Sequence, residues 1–488
     1  MEARRLTESR DYVFTKQPLF IAGKRYEAEQ YRMLRAPYSG EVIAEVASAN
    51  GDETDKAIAA AYEARAVMRR MPAHERAAIL ERVAEGLKLR KDEAARIIAV
   101  ESAKPIKYAL AEVDRTIQTY KFAAEEAKRI HGETISLDAA PGGEGRLAYT
   151  VREPLGVIGA ITPFNFPMNL VAHKVGPAIA AGNTVVLKPA AQTPLSAYFI
   201  GELFQEAGLP AGALNIVTGP GGVVGDTIVQ DDRVVKITFT GSPEVGTRIR
   251  AKAGLKRVTL ELGSNAALIV DNKVDVERII PRCVMGAFSN QGQVCISLQR
   301  IYVHEAVYEA FTESFAHATS GLRLGDPLDV NTDISAMISE GESKRALSWI
   351  EEAINSGATV LTGGSVSNGV LEPTVIVNAE DELKVSCSEV FAPVVVIHKV
   401  QSVEEAIARV NDSPYGLQAG IYTPDLNTAL QAADELHVGG VLINDIPTFR
   451  VDHMPYGGVK QSGLGREGIK YAVEEMTELK LIVINRNV

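Results

Sequence analysis

Apolar positions along residues 53–130 recur every three or four residues, as at Ala57, Ala61 and Ala64, with charged positions between them. This spacing predicts amphipathic helices across the segment. Pro141-Gly142-Gly143 interrupts the helical pattern. Residues 147–152 then alternate between apolar and polar positions, which predicts an exposed or bridging strand.

From Gly156 onward, short β-rich runs alternate with longer stretches of helical spacing. The predicted strands are residues 157–161, 184–187, 214–217 and 235–239. The predicted helices are residues 168–180, 196–206, 243–253, 274–288, 305–320, 343–357, 403–411 and 427–436. This alternation indicates an α/β fold in which helices cover a mostly parallel sheet. The clearest candidate for a domain boundary is Gly263-Ser264-Asn265.

Composition and charge narrow the functional classes. Of 488 residues, 46% are hydrophobic and 23% charged, as in ordinary globular proteins, and the net charge of −11 disfavours nucleic acids and anionic membranes as partners. Three cysteines are too few for a disulfide framework. The first ten residues are charged and lack an apolar signal core, and no run of 18 apolar residues occurs. We therefore expect a soluble cytoplasmic protein.

Standard motifs for metals and nucleotides are absent. His304-Glu305 does not continue as a zinc-binding helix, and the eight histidines are scattered, so we expect no metal. Gly219-Pro-Gly221 lacks the third glycine of a dinucleotide fingerprint. Gly241-Ser242-Pro243 instead ends a strand and begins a helix, where the helix dipole attracts phosphate. The alternative is a capped helix with no ligand.

Three further residues suit catalysis by type, although each has a plainer explanation. Cys295 lies in a small polar stretch and is either a nucleophile or a buried small hydrophobe. Glu261 ends an apolar run, so it is either a functional buried acid or a strand residue facing solvent. Asn165 lies between Pro163 and Pro167, which make the turn stiff. Its side-chain amide is either a preset donor to an oxyanion or bonded to the Asn165 backbone, as is common in turns.

Seven fragments occur together in the order found in the aldehyde dehydrogenase superfamily, which the chain resembles from about Phe20 to its end. They are Pro163-Phe-Asn-Phe-Pro167, Ala181-Gly-Asn-Thr-Val-Val-Leu-Lys-Pro189, Phe239-Thr-Gly-Ser242, Leu260-Glu-Leu-Gly263, Gly292-Gln-Val-Cys295, Glu389-Val-Phe391 and Pro455-Tyr-Gly-Gly-Val-Lys460. The resemblance implies a Cys295 nucleophile, an oxyanion site at Asn165 and the Cys295 N–H, a water-activating Glu261 and a supporting Lys174.

The resemblance also implies NAD or NADP as cofactor. The cofactor-binding residues it points to are Thr162, Pro163, Phe164, Lys188, Ala191, Gly241, Ser242, Leu262, Gly263, Glu389 and Phe391. Glu389 would hold the nicotinamide ribose, Ser242 the pyrophosphate and Lys188 the adenosine ribose. Many NAD-preferring relatives have glutamate where this chain has Ala191. Because no carboxylate there repels a 2′-phosphate, we expect NADP to be accepted.

The substrate is expected to be a short hydroxy- or anionic aldehyde. The amino-acid sequence around Asn165, around Cys295 and in residues 443–454 is similar to that of microbial lactaldehyde, glycolaldehyde and glyceraldehyde dehydrogenases, including the non-phosphorylating glyceraldehyde-3-phosphate group. Arg450 and His453 would bind an anionic group at the far end of the substrate. The alternative is a structural role for Arg450, at a subunit contact for example.

The architecture implied by the resemblance has three parts. Residues 1–128 and 150–264 would form a Rossmann-like cofactor domain, residues 265–465 a second α/β domain carrying the nucleophile, and residues 129–149 and 466–488 a small β bridging element. Exposed strands in that element favour a homodimer or homotetramer. Two other functions stay open: a CoA-acylating aldehyde dehydrogenase, which Glu261 disfavours, and a non-catalytic binding protein of the same fold.

Overall fold

The computed structural model describes residues 15–486 of the chain. The first ten residues, on which the expectation of no secretory signal depends, lie outside this range. Within residues 15–486, no helix is both long enough and apolar enough to cross a membrane.

The predicted helical segment forms four consecutive helices, Gly51–Arg70, Ala73–Leu89, Lys91–Ser102 and Ile106–Ala127. Asn50 caps the first helix: its side chain accepts from the Glu53 backbone N–H, and the Glu53 carboxylate accepts from the Asn50 N–H. This reciprocal cap satisfies two donors that a helix end leaves free. The apolar stripe that includes Ala57, Ala61 and Ala64 is buried. The helical prediction is therefore confirmed.

An eight-stranded sheet contains the four strands predicted after Gly156. Its strand order is Gly463–Leu464, Arg257–Glu261, Val234–Thr240, Val157–Ile161, Thr184–Lys188, Leu214–Ile216, Leu19–Ile21 and Lys24–Tyr26. The five strands from Arg257–Glu261 to Leu214–Ile216 are parallel, and helices Asn169–Ala180, Leu195–Glu206, Asp226–Gln230 and Pro243–Lys252 connect them. Because parallel strands share one carboxyl edge, Ile161, Lys188, Thr240 and Glu261 end at the same side of the sheet.

A seven-stranded sheet occupies the second half of the chain. Its order is Thr359–Thr362, Thr374–Val377, Val394–Val400, Arg300–His304, Ala267–Val270, Gln418–Tyr422 and Gly440–Ile443. Only Thr359–Thr362 is antiparallel to its neighbour among these described strands. The accompanying helices are Val276–Phe288, Glu305–Ser320, Glu340–Asn355, Lys384–Cys387, Val403–Asn411 and Leu426–Glu435. Each sheet is buried between helices, as its apolar strands require.

A three-stranded sheet joins distant parts of the chain. The predicted strand near residues 147–152 is Arg146–Pro154, which pairs with Thr134–Ile135 on one side and Thr477–Asn485 on the other. Helix Ile469–Glu475 leads into the last strand. The expected division into cofactor, catalytic and bridging parts stays a prediction. Strand Arg146–Pro154 crosses its expected boundary at residue 150, and Gly463–Leu464, expected in the catalytic part, pairs with Arg257–Glu261 in the eight-stranded sheet.

Several short strands had no sequence signal. Residues 15–47 carry five strands, Thr15–Gln17, Leu19–Ile21, Lys24–Tyr26, Tyr31–Arg35 and Val42–Ala47, and the hairpin Val366–Ser367 with Val370–Leu371 is also short. Strands of two to six residues offer too few positions for an alternating pattern to stand out. Some pair locally, as Val366 does with Leu371, and others are placed by a distant partner, as where Phe20 pairs with Ile216.

Candidate active site

Cys295 follows a strained backbone segment. Asn290, Gln291 and Gly292 have φ values of +52°, +56° and +66°, a left-handed conformation that is unfavourable for the first two residues. A Cβ on Gly292 would lie 2.2 Å from the Ala392 carbonyl oxygen. Glycine is therefore required where this loop packs against the segment that follows Glu389.

Buried amides hold the loop in that conformation. The Gln291 amide donates to the carbonyls of Ala103 and Ala336, both at 2.9 Å. The Asn290 amide donates to the Asn165 carbonyl at 3.2 Å. Three separate parts of the chain thus anchor the loop, and satisfied buried hydrogen bonds stabilise one arrangement. The Cys295 thiol is presented from a rigid support.

The thiol lies within hydrogen-bonding distance of a tyrosine. Cys295 Sγ is 2.9 Å from the Tyr456 hydroxyl oxygen. Burial raises the pKa of the Cys295 thiol to about 11, against the hydrogen bond from Tyr456 and the charge of Arg450, which lower it. The nearby carboxyls Glu389 and Glu261 raise the pKa of the thiol further.

Asn165 and the Cys295 backbone supply hydrogen-bond donors next to the thiol. The Asn165 side chain is buried, and its amide donates to the Gln293 carbonyl at 2.9 Å. Within residues 15–486, the Cys295 backbone N–H donates to no protein acceptor. The Asn165 amide therefore bonds the loop that carries Cys295 and not its own backbone, and its role as an oxyanion donor stays a prediction.

Glu261 is buried rather than directed to solvent, so the alternative of an exposed strand residue does not hold. It is 3% exposed, and neither carboxylate oxygen has a hydrogen-bond partner among the described residues. A Cβ on Gly457 would lie only 3.0 Å from Glu261 Oε1, so glycine leaves room for the carboxylate. Burial and the charge of Glu467 raise the pKa of Glu261 well above its usual value. An unpartnered buried carboxyl is costly and is typical of functional sites.

Lys174 bonds Glu467 and not Glu261, and its supporting role stays a prediction. Its ammonium donates to Glu467 Oε1 at 2.9 Å and to the Thr238 hydroxyl at 3.2 Å, and it acts on Glu261 through its charge alone. Burial by itself would raise the pKa of Glu467, but the charges of Lys174, His173 and Arg450 lower it to about 2. Glu467 had no sequence signal, because a single acid among polar residues resembles a solvated position.

A cleft of about 490 Å³ opens at the carboxyl edge of the eight-stranded sheet, and we call it the sheet-edge cleft. Seven of the predicted cofactor-binding residues line it: Thr162, Pro163, Phe164, Lys188, Ala191, Gly241 and Ser242. The hydroxyls of Thr162 and Thr240 are buried there without a partner in the described chain. Ser242 caps helix Pro243–Lys252 by accepting from the Val245 N–H at 3.4 Å. Free hydroxyls and a capped helix start suit a ribose and a pyrophosphate.

The other four predicted cofactor residues, Leu262, Gly263, Glu389 and Phe391, lie outside the lining of the sheet-edge cleft. Phe391 meets Phe164 edge to face, with ring centroids 5.8 Å apart. The Glu389 carboxylate accepts from the Ser264 N–H at 2.8 Å, and a Cβ on Gly263, which follows Leu262, would lie 2.4 Å from it. Burial raises the pKa of Glu389 to about 7.

Arg32 is a cleft residue that the sequence did not reveal. Its guanidinium donates to the Ala191 carbonyl, 159 positions away, and lines the sheet-edge cleft with Lys188. Burial, followed by the positive charge of Arg32, lowers the pKa of Lys188 to about 8. Within residues 15–486, neither cation forms a salt bridge. Two neighbouring cations without an acid favour a bound anion.

A second cavity of about 270 Å³, which we call the thiol cavity, contains Cys295 on its wall. Phe166, Leu170 and Phe449 provide apolar surface. Four cations also line the cavity, each paired with an acid: Lys104 with Glu112, Arg115 with Asp452, Arg282 with Asp445 and Arg450 with Glu467. The cavity can therefore offer positively charged donors without a large net charge.

The two residues expected to bind an anionic substrate differ in position. Arg450 lines the thiol cavity, donates to Glu467 Oε2 at 3.1 Å and lies over the Tyr456 ring at 3.6 Å. Its Nε is buried without a partner in the described chain. His453 is not among the lining residues, and its ring instead packs on Phe122 with centroids 4.7 Å apart. The structure therefore brings only Arg450 to the cavity.

Arg115 lines the thiol cavity together with Arg450. The Asp452 carboxylate accepts from Arg115 at 2.7 Å and pairs with His173 at 2.8 Å. Asn169 donates to the same carboxylate at 3.0 Å. Because Arg115 and Asp452 are 337 positions apart, no local pattern could have identified the pair. Residues 15–486 contain no group of three or more histidine, cysteine or acidic side chains placed to hold a metal ion.

The sequence profile of the Aldehyde dehydrogenase family matches residues 25–482. The chain belongs to the aldehyde dehydrogenase family. It is 47% identical to 3-sulfolactaldehyde dehydrogenase of Priestia aryabhattai, over 96% of this chain and 98% of that protein. The predicted family, the α/β fold and the NAD(P)-dependent aldehyde dehydrogenase activity are confirmed.

Two solved structures are close to this aldehyde dehydrogenase. Aldehyde dehydrogenase 21 from Physcomitrella patens, in complex with the reaction product succinate, superimposes with a TM-score of 0.95 at 42% identity, covering 97% of this chain and 99% of that one. Glyceraldehyde-3-phosphate dehydrogenase GapN from Methanocaldococcus jannaschii, complexed with NADP, gives 0.90 at 40% identity, with coverage of 94% and 100%. At these identities the chains are similar in sequence as well as in fold.

Proposed function

We propose that this enzyme oxidises a short aldehyde to its carboxylate through a covalent intermediate on Cys295. The Cys295 thiolate attacks the aldehyde carbon, and the oxyanion that forms accepts from the Asn165 amide and the Cys295 N–H. Bound NAD(P) supplies the hydride acceptor, and oxidation of the carbon leaves a thioester on Cys295. The observation that carries the proposal is the position of the thiol, on the wall of a small cavity with the unpartnered Glu261 carboxyl in electrostatic range.

Glu261 is the base for release of the product. Both of its oxygens are free to accept a proton from the water that attacks the thioester. Its raised pKa means that the ionised, active form increases as pH rises. The charges of Arg450 and Lys174 lower the pKa of Glu261 and so limit the loss of that form.

The proposed substrate class is a short aldehyde with an anionic group at its far end. The thiol cavity is small, and Arg115 and Arg450 both line it with positively charged donors. The names of similar proteins support the same class: one acts on 3-sulfolactaldehyde, one was solved with succinate, and one is a glyceraldehyde-3-phosphate dehydrogenase. Sulfonate, carboxylate and phosphate all suit arginine recognition.

A panel of paired aldehydes tests this class. The enzyme should oxidise 3-sulfolactaldehyde and succinic semialdehyde with a lower KM than neutral lactaldehyde and butanal. Arg115→Ala should raise the KM for the anionic aldehydes about tenfold or more, because a charge-assisted hydrogen bond is lost, and leave the neutral ones within about twofold. His453→Ala is the matched control and should change neither group. Equal effects of Arg115→Ala on both groups would refute the anionic class.

NADP is the proposed preferred cofactor. Arg32 and Lys188 lie together in the sheet-edge cleft without an acidic partner in the described chain, and Ala191 presents no carboxylate to them. The 2′-phosphate of NADP would supply the missing negative charge. Steady-state assays with both cofactors test the preference. A kcat/KM for NAD that exceeds the value for NADP by tenfold would refute it.

A homodimer or homotetramer is the proposed assembly. Strand Thr477–Asn485 forms the edge of its sheet, and Leu479, Leu481 and Val483 on it are about half exposed. A long exposed edge strand with apolar side chains invites pairing with another subunit. Light scattering should show an oligomer for the native chain and a smaller species for Leu481→Lys. A monomeric native chain would refute the proposal.

A cytoplasmic location completes the proposal. All three cysteines are free, and chemistry on Cys295 requires a reduced thiol. Cell fractionation with an antibody against the chain should recover it with cytoplasmic markers. Recovery with secreted proteins would contradict this location.

A further inference from the structure

The Tyr456 hydroxyl has a single partner in the described chain, and that partner is the proposed nucleophile. Its oxygen lies 2.9 Å from Cys295 Sγ. Tyr456 is 3% exposed and packs among Val294, Ile296 and Leu417. The Arg450 guanidinium covers the ring face at 3.6 Å. The phenol is therefore held in one orientation by contacts on its ring, while its hydroxyl is directed at the sulfur.

We propose that Tyr456 is a catalytic residue that donates a hydrogen bond to the Cys295 sulfur whenever that sulfur carries negative charge. This inference rests on the proposed role of Cys295 as nucleophile. Tyr456 does not transfer its proton; it stabilises the thiolate by hydrogen bonding alone. A hydrogen bond to an ionised acceptor is worth roughly twice one between neutral groups, and more in a site from which water is excluded.

Negative charge develops on the sulfur twice in each catalytic cycle. Before attack, the thiol loses its proton to solvent water and Cys295 becomes a thiolate. After water adds to the thioester and gives its proton to Glu261, the tetrahedral intermediate collapses: the carbon–sulfur bond breaks, and its electron pair returns to Cys295 Sγ. A donor placed at the sulfur therefore assists both the first step and the last, whereas a donor at the oxyanion assists only the tetrahedral stages.

The surroundings of the sulfur make such a donor necessary. Burial and the charges of Glu389 and Glu261 all oppose thiolate formation. Within residues 15–486, Tyr456 is the hydrogen-bonding side chain on Sγ, and Arg450 contributes only its charge. Burial and the proximity of Cys295 hold the pKa of Tyr456 well above its usual value, so the phenol keeps its proton and remains a donor.

The test is the pH dependence of Cys295 alkylation. In native enzyme, iodoacetamide should alkylate Cys295 and abolish activity, with a rate that reports the thiolate fraction. Tyr456→Phe preserves the ring and its packing but removes the donor. We expect the pKa of Cys295 in this variant to rise by about one unit or more, and the alkylation rate at pH 7 to fall about tenfold. The value of kcat should fall by a similar factor.

Tyr120→Phe is the matched control for loss of a buried tyrosine hydroxyl. Tyr120 lines neither the thiol cavity nor the sheet-edge cleft, so the alkylation profile should match that of native enzyme. Replacing Tyr456 with 3-fluorotyrosine gives the opposite test, because a more acidic phenol is a stronger donor. The pKa of Cys295 should then fall below the native value.

The outcomes separate this inference from the proposed function. An alkylation profile unchanged in both Tyr456 variants, with Cys295 still the site of inactivation, would overturn the role of Tyr456 and leave the nucleophile in place. Alkylation of Cys295 without loss of activity would overturn the nucleophile and the inference together. NADPH binding, measured by fluorescence, should remain native in Tyr456→Phe and so confirms that the variant is folded.

Discussion

The sheet-edge cleft and the thiol cavity are both lined by cations, but their cations are arranged differently. Arg32 and Lys188 in the cleft have no acidic partner in the described chain, whereas Arg115 and Arg450 in the cavity are each paired with a carboxylate. Unpaired cations repel one another until a ligand neutralises them, which favours a multiply charged group such as phosphate. Paired cations are held in position by their acids, which favours orientation of a small substrate over affinity.

The largest effect is expected at Cys295, on the wall of the thiol cavity. Cys295→Ala should reduce turnover by about 10⁴-fold or more, because the proposed covalent intermediate forms on this thiol. NADPH binding in the sheet-edge cleft should remain within about twofold. Steady-state kinetics and fluorescence titration measure the two effects. Residual turnover near the native level would show that the chemistry lies elsewhere, and a large loss of NADPH binding would show that the two regions are not energetically separate.

Glu261→Gln should separate the two halves of the reaction. Without the base, steady-state turnover should fall about 10²- to 10³-fold, while one equivalent of reduced cofactor per active site still forms rapidly. In native enzyme the hydrolytic step should speed up as pH rises, because the raised pKa of Glu261 delays its ionisation. Stopped-flow absorbance with acid-quench analysis of the acyl-enzyme checks both points. Loss of the rapid phase would place Glu261 before hydride transfer instead.

What the sequence predicts of these two sites depends on how far apart along the chain the interacting residues lie. The helices after Asn50 and the strands after Gly156 follow from apolar periodicity, which is a local property. Cys295 and Glu261 are candidates by residue type, but each also has a plainer explanation, and only the order of several motifs favours catalysis over it. Arg115 was not predicted as a site residue, because its carboxylate partner lies 337 positions away. Such contacts are fixed by topology and not by local pattern.

The hydroxyl of Tyr456 shows the same limit within a recognised motif. The motif Pro455-Tyr-Gly-Gly-Val-Lys460 was recognised as a unit, but nothing in it indicates that the hydroxyl reaches Cys295, 161 positions away. His453 illustrates the converse, since a histidine in a promising segment packs on Phe122 outside the lining of the cavity. Within a recognised segment, backbone direction decides which side chains reach the site.

Arg32→Ala tests the unpaired cations directly. Because one of the two groups proposed to face the 2′-phosphate is lost, kcat/KM for NADP should fall about 10- to 100-fold, and that for NAD should stay within about twofold. Lys188→Ala should act in the same direction. Arg25→Ala is a control, since Arg25 is an exposed arginine that does not line the sheet-edge cleft. Equal losses with NAD and NADP in Arg32→Ala would mean that the residue supports the cleft without reading the phosphate.

The smallest expected effect concerns Glu389, the one acid assigned to the cofactor. Burial raises its pKa to about 7, so near pH 6 most molecules carry a neutral carboxyl and near pH 8 most carry a carboxylate. The carboxylate is the better acceptor for ribose hydroxyls, so KM for the cofactor should fall by up to about tenfold between pH 6 and 8. Glu389→Gln should abolish this dependence while it raises KM at pH 8. A cofactor KM that is independent of pH in native enzyme would show that the neutral and ionised forms bind equally well, and the acid would then contribute shape to the cleft but no charge.

The raised pKa of Glu389 also affects stability. A carboxyl whose folded pKa is raised stabilises the fold only while it is protonated, and this contribution is lost as pH rises from about 4.5 towards 7. Glu389→Gln should therefore unfold at a higher denaturant concentration than native enzyme at pH 8 but not at pH 5.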